Sequence, residues 1–284
     1  AERRYQFARS AGGTVGLVER ETLGAPMSTG PLLNVERLTV GHGTRPLLTD
    51  LSFDLQPGEL TAMLGVNGIG KSTLLKTVAG LLPALAGEVR IQGEPLSAMS
   101  AQQRSRSVSI VLTGRPQTGM LDVETLVSLG RQPWTGRWGS LSTADQTEVE
   151  RALKLAGAEH LRGKSLGTCS DGECQKVLIA RALAQSTPVL LLDEPTAFLD
   201  LPNRVSTVRM LRRIAVEERK AVLFSTHDLQ LALDLCDHVL LLRRDGPLWQ
   251  GTPVQALASG ELANAFTGSG IRFDPASGTH RFDR

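Results

Sequence analysis

Neither sign of charge predominates in this sequence. Lys and Arg number 31 against 29 Asp and Glu, a formal net charge of +2. So close a balance removes any bulk electrostatic reason to bind nucleic acid or an acidic membrane surface. Long apolar runs are also missing. Those present, such as Val189–Leu192 and Val239–Leu242, have the length of buried strands, whereas a spanning helix needs about 18–20 residues. The sequence therefore predicts that this chain does not cross a bilayer by itself. Residues 1–26 carry early arginines but no continuous apolar stretch, so they do not read as a secretory leader. Three cysteines, Cys169, Cys174 and Cys236, are too few for a disulfide framework in 284 residues, which points to a reducing compartment. There is no heptad run, internal repeat, low-complexity tract or basic stripe.

What is there is an ordinary globular composition, 41% hydrophobic and 21% charged, in a length that suits one large α/β domain or a domain with a subdomain. Met27 opens a stretch that reads as an ordinary start, so residues 1–30 are expected to be a loosely ordered extension. Leu32–Val40 and Leu47–Leu55 alternate as strands around a turn at Gly41–Pro46, and Glu59–Leu64 is a third strand. A glycine-rich loop precedes a helix over about Ser72–Leu81, and strands follow at Glu88–Gln92 and Val108–Leu112. Residues 113–167 change character, with helical periodicity at Val123–Leu129 and Ala144–Ala156. Helices at 171–185, 203–218 and 228–236 then alternate with strands at 188–192, 221–225 and 238–242. Asp245-Gly246 marks a hairpin turn into Pro247–Gln250, and residues 254–284 form a tail. Such alternation predicts a mostly parallel sheet covered by helices on both faces.

Gly65-Val66-Asn67-Gly68-Ile69-Gly70-Lys71-Ser72 fits the pattern G-x-x-x-x-G-K-[ST], with a strand before it and a helix after it. Glycines let the backbone curl so that successive N–H groups face a phosphate, and the helix N-terminus adds its dipole. Lys71 is placed for the β and γ phosphates, and the Ser72 hydroxyl for Mg²⁺. The apolar strand Val189–Leu192 ends in Asp193-Glu194. Ligands of parallel sheets bind beyond the strand C-termini. Asp193 is thus placed to hold Mg²⁺, and Glu194 to polarise an attacking water. Strand 221–225 runs into Thr226-His227-Asp228, which puts His227 where it can reach the γ-phosphate or that water.

These residues, in this order, resemble the ATP-binding subunit of an ABC transporter over roughly residues 31–253. Ser170-Asp171-Gly172-Glu173 is similar to the family's signature, and Ala197-Phe198-Leu199-Asp200 to its D-loop. The resemblance implies a P-loop NTPase (RecA-like) core with a mostly parallel sheet, an N-terminal antiparallel β subdomain and an inserted helical subdomain at about 113–167. It implies ATP and Mg²⁺ as cofactors. ATP would lie on Gly65, Asn67, Gly68, Gly70, Lys71, Ser72 and Thr73, with His42 stacking on the base. Mg²⁺ would lie on Ser72, Asp193 and Thr113. Glu194, His227 and Lys71 would act in catalysis. Ser170 and Gly172 would meet ATP held by a second copy, and Asp200 would lie at the same junction, so the working unit would be a head-to-tail dimer. Ser170-x-x-Glu173 is also a capping box, a purely local reason for the same residues.

Within the family, Ser128-Leu129-Gly130-Arg131-Gln132-Pro133 and Ala180-Arg181-Ala182-Leu183-Ala184-Gln185 resemble importers of the iron–siderophore, haem or cobalamin type. That implies permease subunits, indirectly a solute-binding protein, and a peripheral place on the cytoplasmic face of the membrane. The alternatives are an exporter ATPase and a soluble ABC ATPase acting on nucleic acid; the single cassette and the lack of a basic stripe weigh against the second. Three departures stand out. Thr113 replaces the usual Gln, with Gln117 nearby. His42 replaces an aromatic ring. Asp171 replaces a Gly, between Cys169 and Cys174 where Leu and a basic residue are common. A thiol at a helix N-terminus has a lowered pKa, so alkylation of Cys169 or Cys174 is expected to inhibit.

Overall fold

The computed structural model describes residues 4–9, 15–20, 30–114, 121–136, 139–243, 246–266, 271–274 and 279–282. They fall into two units, Ala1–Gly30 and Pro31–Arg284. In the small unit, β1 (Arg4–Arg9) and β2 (Val15–Arg20) pair antiparallel, with Arg4 opposite Arg20 and Arg9 opposite Val15. The sequence reading expects no such ladder there.

The larger unit opens with a hairpin of β3 (Leu33–His42) and β4 (Arg45–Leu55), turned at Gly43, where φ is 57°. β5 (Leu60–Leu64) leads to α1 (Lys71–Val78), followed by β6 (Ala86–Ile91), β7 (Glu94–Pro95), α2 (Ala101–Ser107) and β8 (Val108–Val111). Helices α3 (Val123–Ser128), α4 (Thr143–Leu155) and α5 (Asp171–Ala184) come before β9 (Val189–Leu192). The chain continues through α6 (Leu201–Glu217), β10 (Ala221–Ser225), α7 (Leu229–Leu235), β11 (His238–Leu241) and β12 (Trp249–Gly251). α8 (Pro253–Ala258), α9 (Glu261–Phe266) and an antiparallel pair of β13 (Ile271–Asp274) and β14 (Thr279–Phe282) follow. No helix among the described residues is long and apolar enough to cross a membrane.

The main sheet has the order β12-β11-β5-β10-β9-β8, parallel throughout except where β12 joins β11. An antiparallel sheet of order β4-β3-β6-β7 lies beside it. Period-two alternation explains why the parallel strands are apolar along their whole length. Leu60, Ala62, Leu64, Leu190, Leu192, Val222 and Phe224 enter one core with the residues of α3 to α7. Their neighbours Met63, Val189, Leu191, Ala221 and Leu223 enter a second core with α1 and the antiparallel sheet.

Helix α2 is absent from the sequence reading for a physical reason. It buries no residue, so it carries no apolar periodicity. It forms through its capping box, in which Gln103 N–H donates to Ser100 Oγ and Ser100 N–H to Gln103 Oε1. Helix α1 ends at Val78, earlier than the expected Leu81, with Gly80 at φ 72°. The last main-sheet strand is Trp249–Gly251 rather than Pro247–Gln250, and Asp245 lies outside the described residues. The segment 128–133 locks the helices together. A Cβ on Gly130 would come within 2.3 Å of the Arg181 carbonyl oxygen in α5. Buried Arg131 donates through Nε to Asp145 Oδ1 of α4 at 2.9 Å and through Nη1 to the Ala184 carbonyl at 2.7 Å.

Lys220, just before β10, is buried with its ammonium donating to the Thr187 carbonyl. Burial pulls its pKa from 10.5 to about 8, against a smaller upward pull from Glu218. Below about pH 8 the cost of burying the charge is carried in full. Above it the folded protein sheds a proton that the unfolded chain still holds, so stability rises with pH up to about 10.5. Between about pH 7 and about pH 9.5, the unfolding free energy of wild type relative to Lys220→Met should rise by about 2 kcal/mol in denaturant titrations. A difference independent of pH contradicts this.

Candidate functional site

The parallel strands bring their C-terminal ends to one edge in register. Val111 of β8 and Phe224 of β10 both pair with Leu192 of β9, and Ser225 pairs with Met63 of β5. Four segments therefore leave the sheet side by side, starting at Gly65, Leu112, Asp193 and Thr226.

After β5 the backbone curls through Gly68 (φ 74°) and Gly70 (φ 115°), conformations that strain any L side chain. Gly65 is closed in, since a Cβ there would lie 3.2 Å from the Leu242 carbonyl oxygen. Asn67 and Gly68 are exposed at the tip. Gly70 is the N-cap of α1 and supplies no side-chain cap. The first N–H groups of the helix thus have no side-chain cap, an arrangement suited to an anion. Lys71 is only 5% exposed. Its Nζ donates to the Gly65 and Val66 carbonyl oxygens at 2.8 and 3.3 Å, which lays the ammonium across the loop. Burial lowers its pKa, and the Glu194 and Asp193 carboxylates pull it back up. Ser72 follows it in the helix, and Thr73 Oγ1 lies 3.3 Å from His42 Nε2, which joins the end of β3 to the loop.

Asp193 is buried and held on three sides. Its N–H donates to the Val111 carbonyl at 2.8 Å, its carbonyl accepts from Thr113 Oγ1 at 2.8 Å, and its Oδ1 accepts from Ser225 Oγ at 2.8 Å. Ser225 Oγ in turn accepts the Glu194 N–H at 2.8 Å. Glu194 sits at φ 49°, uncommon for a side chain of its size. Its Oε1 is 2.5 Å from His227 Nε2, and His227 Nδ1 is 3.5 Å from Lys71 Nζ. An ammonium only donates. Nδ1 therefore accepts, and Nε2 carries the proton towards the carboxylate. Lys71, His227 and Glu194 form one chain across the strand ends.

Thr113, expected to touch the metal, makes a contact within the protein. Its hydroxyl hydrogen is committed to the Asp193 carbonyl, tying the exit of β8 to that of β9. Gln117 lies outside the described residues. Ser225 is missing from the sequence reading. Its signal is a single polar residue closing an otherwise apolar strand, Ala221-Val222-Leu223-Phe224-Ser225.

Ser170 and Gly172 open α5. The capping box is formed: Glu173 N–H donates to Ser170 Oγ at 3.3 Å and Ser170 N–H to Glu173 Oε2 at 2.8 Å. The Ser170 N–H, with the Lys164 ammonium beside it, holds the Glu173 carboxyl below its usual pKa. A Cβ on Gly172 would lie 3.8 Å from Leu199 and Asn203. Asp200 caps α6, accepting the Asn203 N–H at 3.1 Å. The openings of α5 and α6 are thus neighbours. Among the described residues no group of three or more His, Cys, Asp and Glu forms a metal cage. The hydroxyl of Ser72 and the carboxylate of Asp193 are hard oxygen donors, which suit a Mg²⁺ ion that keeps water and phosphate among its ligands.

A family model described as ABC transporter matches residues 48–197. The hemin import ATP-binding protein of Pseudomonas fluorescens is 40% identical over 245 residues, covering 83% of this chain and 92% of that protein. The cobalamin import ATP-binding protein of Halobacterium salinarum is 37% identical over 238 residues, covering 83% of this chain, while the chain spans 59% of that relative's length. A solved structure described as a metal-chelate type ABC transporter in an inward-facing conformation superposes with a TM-score of 0.73 at 28% identity, covering 84% of this chain and 89% of that one.

The cysteines correct an expectation. Cys169 and Cys174 are 4% and 3% exposed, and they occupy the N′ and N4 positions of α5, where apolar side chains pack as a staple. Burial removes the access that alkylation needs. The native protein treated with N-ethylmaleimide should keep its activity and label neither thiol, while the protein in denaturant labels both. Stoichiometric native labelling at either residue, read by peptide mass, contradicts this.

Proposed function

The chain belongs to the ABC transporter family of ATP-binding proteins, and from that premise we propose that it hydrolyses ATP to drive uptake of a metal chelate through a membrane permease. The cargo class is an iron–siderophore, haem or cobalamin. The observation that carries the chemistry is the Lys71–His227–Glu194 chain beside uncapped helix amides. The names of the relatives support import of a metal chelate.

In this reading the amides of Gly68 to Ser72 bind the phosphates, and Lys71 exchanges its loop carbonyls for β and γ oxygens. A Mg²⁺ ion, held by Ser72 and Asp193, would neutralise developing phosphate charge. Glu194 takes the proton side of a water and aims it at the γ-phosphorus. His227 fixes the Glu194 carboxylate and presents its Nε2 proton to the same region. Lys71 balances charge on the transferring group. His42, tied to Thr73 at the loop edge, offers its ring face to the base.

One chain supplies half of each site. The capped start of α5, with Ser170 and Gly172, would close on ATP held by a second copy, head to tail. Phe198 and Leu201, 81% and 64% exposed on either side of Leu199-Asp200, supply apolar surface for that contact. Such a dimer would sit peripherally on the cytoplasmic face of the membrane, under permease subunits fed by a solute-binding protein.

ATP hydrolysis by the purified chain, alone and with its permease subunits in lipid, tests the reading. The rate should rise with the permease and again with a binding protein loaded with a metal chelate. Glu194→Gln should bind ATP yet turn over about 100-fold more slowly or worse. Hydrolysis indifferent to the permease, or wild-type turnover by Glu194→Gln, contradicts it.

A further inference from the structure

Ser225 lies at the last position of β10 with no exposed surface. Its oxygen sits between the two acidic residues at the end of β9. The Glu194 amide has only a hydrogen to give, so Ser225 Oγ accepts it. The hydrogen of Ser225 then goes to Asp193 Oδ1, and the 2.8 Å distances of both bonds agree with this direction. One hydroxyl thereby fixes a carboxylate rotamer and the backbone of the next residue. That backbone is Glu194 at φ 49°, a conformation that persists only where surrounding contacts hold it. Thr113 holds the Asp193 carbonyl from the opposite strand. Among the described residues no hydrogen bond reaches the second Asp193 carboxylate oxygen.

We propose that Ser225 is a positioning residue for ATP hydrolysis, holding the Asp193 carboxylate in its metal-binding rotamer and the Glu194 backbone in the conformation that aims its carboxylate. This rests on the reading of Asp193 and Glu194 given above. Ser225 touches neither nucleotide nor water; it acts through its two neighbours. An alanine there leaves a buried N–H and a carboxylate oxygen without their partner, and both groups lie in the site. A side chain that merely filled space would affect folding and leave the balance between binding and turnover alone.

The test uses the full chain and measures kcat, KM for ATP, the Mg²⁺ concentration at half-maximal rate, and the thermal midpoint. Ser225→Ala should lower kcat about tenfold or more, with KM for ATP changed less than about twofold. It should raise the Mg²⁺ requirement about threefold or more, because Asp193 loses its fixed rotamer. Ser225→Thr keeps the hydroxyl and should recover most of kcat and the wild-type Mg²⁺ requirement. Ser225→Cys keeps the volume with a weak donor, and should fall between the two even if the alanine variant folds poorly. Wild-type kcat and Mg²⁺ dependence in the alanine or cysteine variant overturn the proposal. Parallel loss of ATP binding, thermal midpoint and kcat, unrelieved by threonine, overturns it as well and makes Ser225 a core residue only. Glu194→Gln, measured alongside, separates the two readings. If it is inactive while Ser225→Ala is normal, only the positioning role fails. If it turns over as wild type does, the site itself is misread and Ser225 falls with it.

Discussion

The structure depends on a set of backbone N–H groups at the start of α1 that no side chain caps. The start of α1 has no cap, because Gly70 has no side chain to offer and Gly68 and Gly70 curl the loop into left-handed backbone. Unsatisfied amides at a helix start are normally capped by a side chain or by water. Here they sit at the end of β5, which is held between β10 and β11 in the middle of the sheet. The rigidity of that strand keeps the loop open, and its apolar residues feed two cores at once. Lys71 can be almost fully buried at this place because carbonyl oxygens and two carboxylates surround its ammonium.

From that loop outward, parallel pairing does the rest. A parallel ladder sends every strand end to the same edge, so residues far apart in sequence become neighbours without long loops. Thr113, Asp193, Ser225 and His227 come from three different strand exits, and hydrogen bonds of 2.5 to 2.8 Å join them across the edge to one another or to Glu194. The helices α3 to α5 serve a separate end. They are clamped by Arg131 and by the close approach at Gly130, and α5 opens on its own capping box at Ser170.

The legible parts of the sequence were those with strict local chemistry. Glycine spacing marks the loop at Gly65–Gly70, because few other residues accept that backbone. The strand ends at Asp193 and His227 are legible because carboxylates and imidazoles seldom close apolar runs without a reason. Helix α2 is not legible, because it buries nothing and leaves no period to read. Ser225 escapes notice because a serine at a strand end is ordinary, and its meaning lies in contacts more than thirty positions away in the chain. The same holds for Thr113, whose hydroxyl turns to a carbonyl on a neighbouring strand. Cys169 and Cys174 look reactive by position and prove inaccessible by packing, which no local pattern reveals.

In the proposed mechanism this chain holds half of each ATP site and is completed by a second copy. The most direct measurement is the solution mass of Glu194→Gln by light scattering, with ATP and Mg²⁺ and then with ADP. The mass should double with ATP, stay unchanged with ADP, and no longer double when Ser170 is replaced by arginine. A monomer under every condition, with ATP bound, would contradict it.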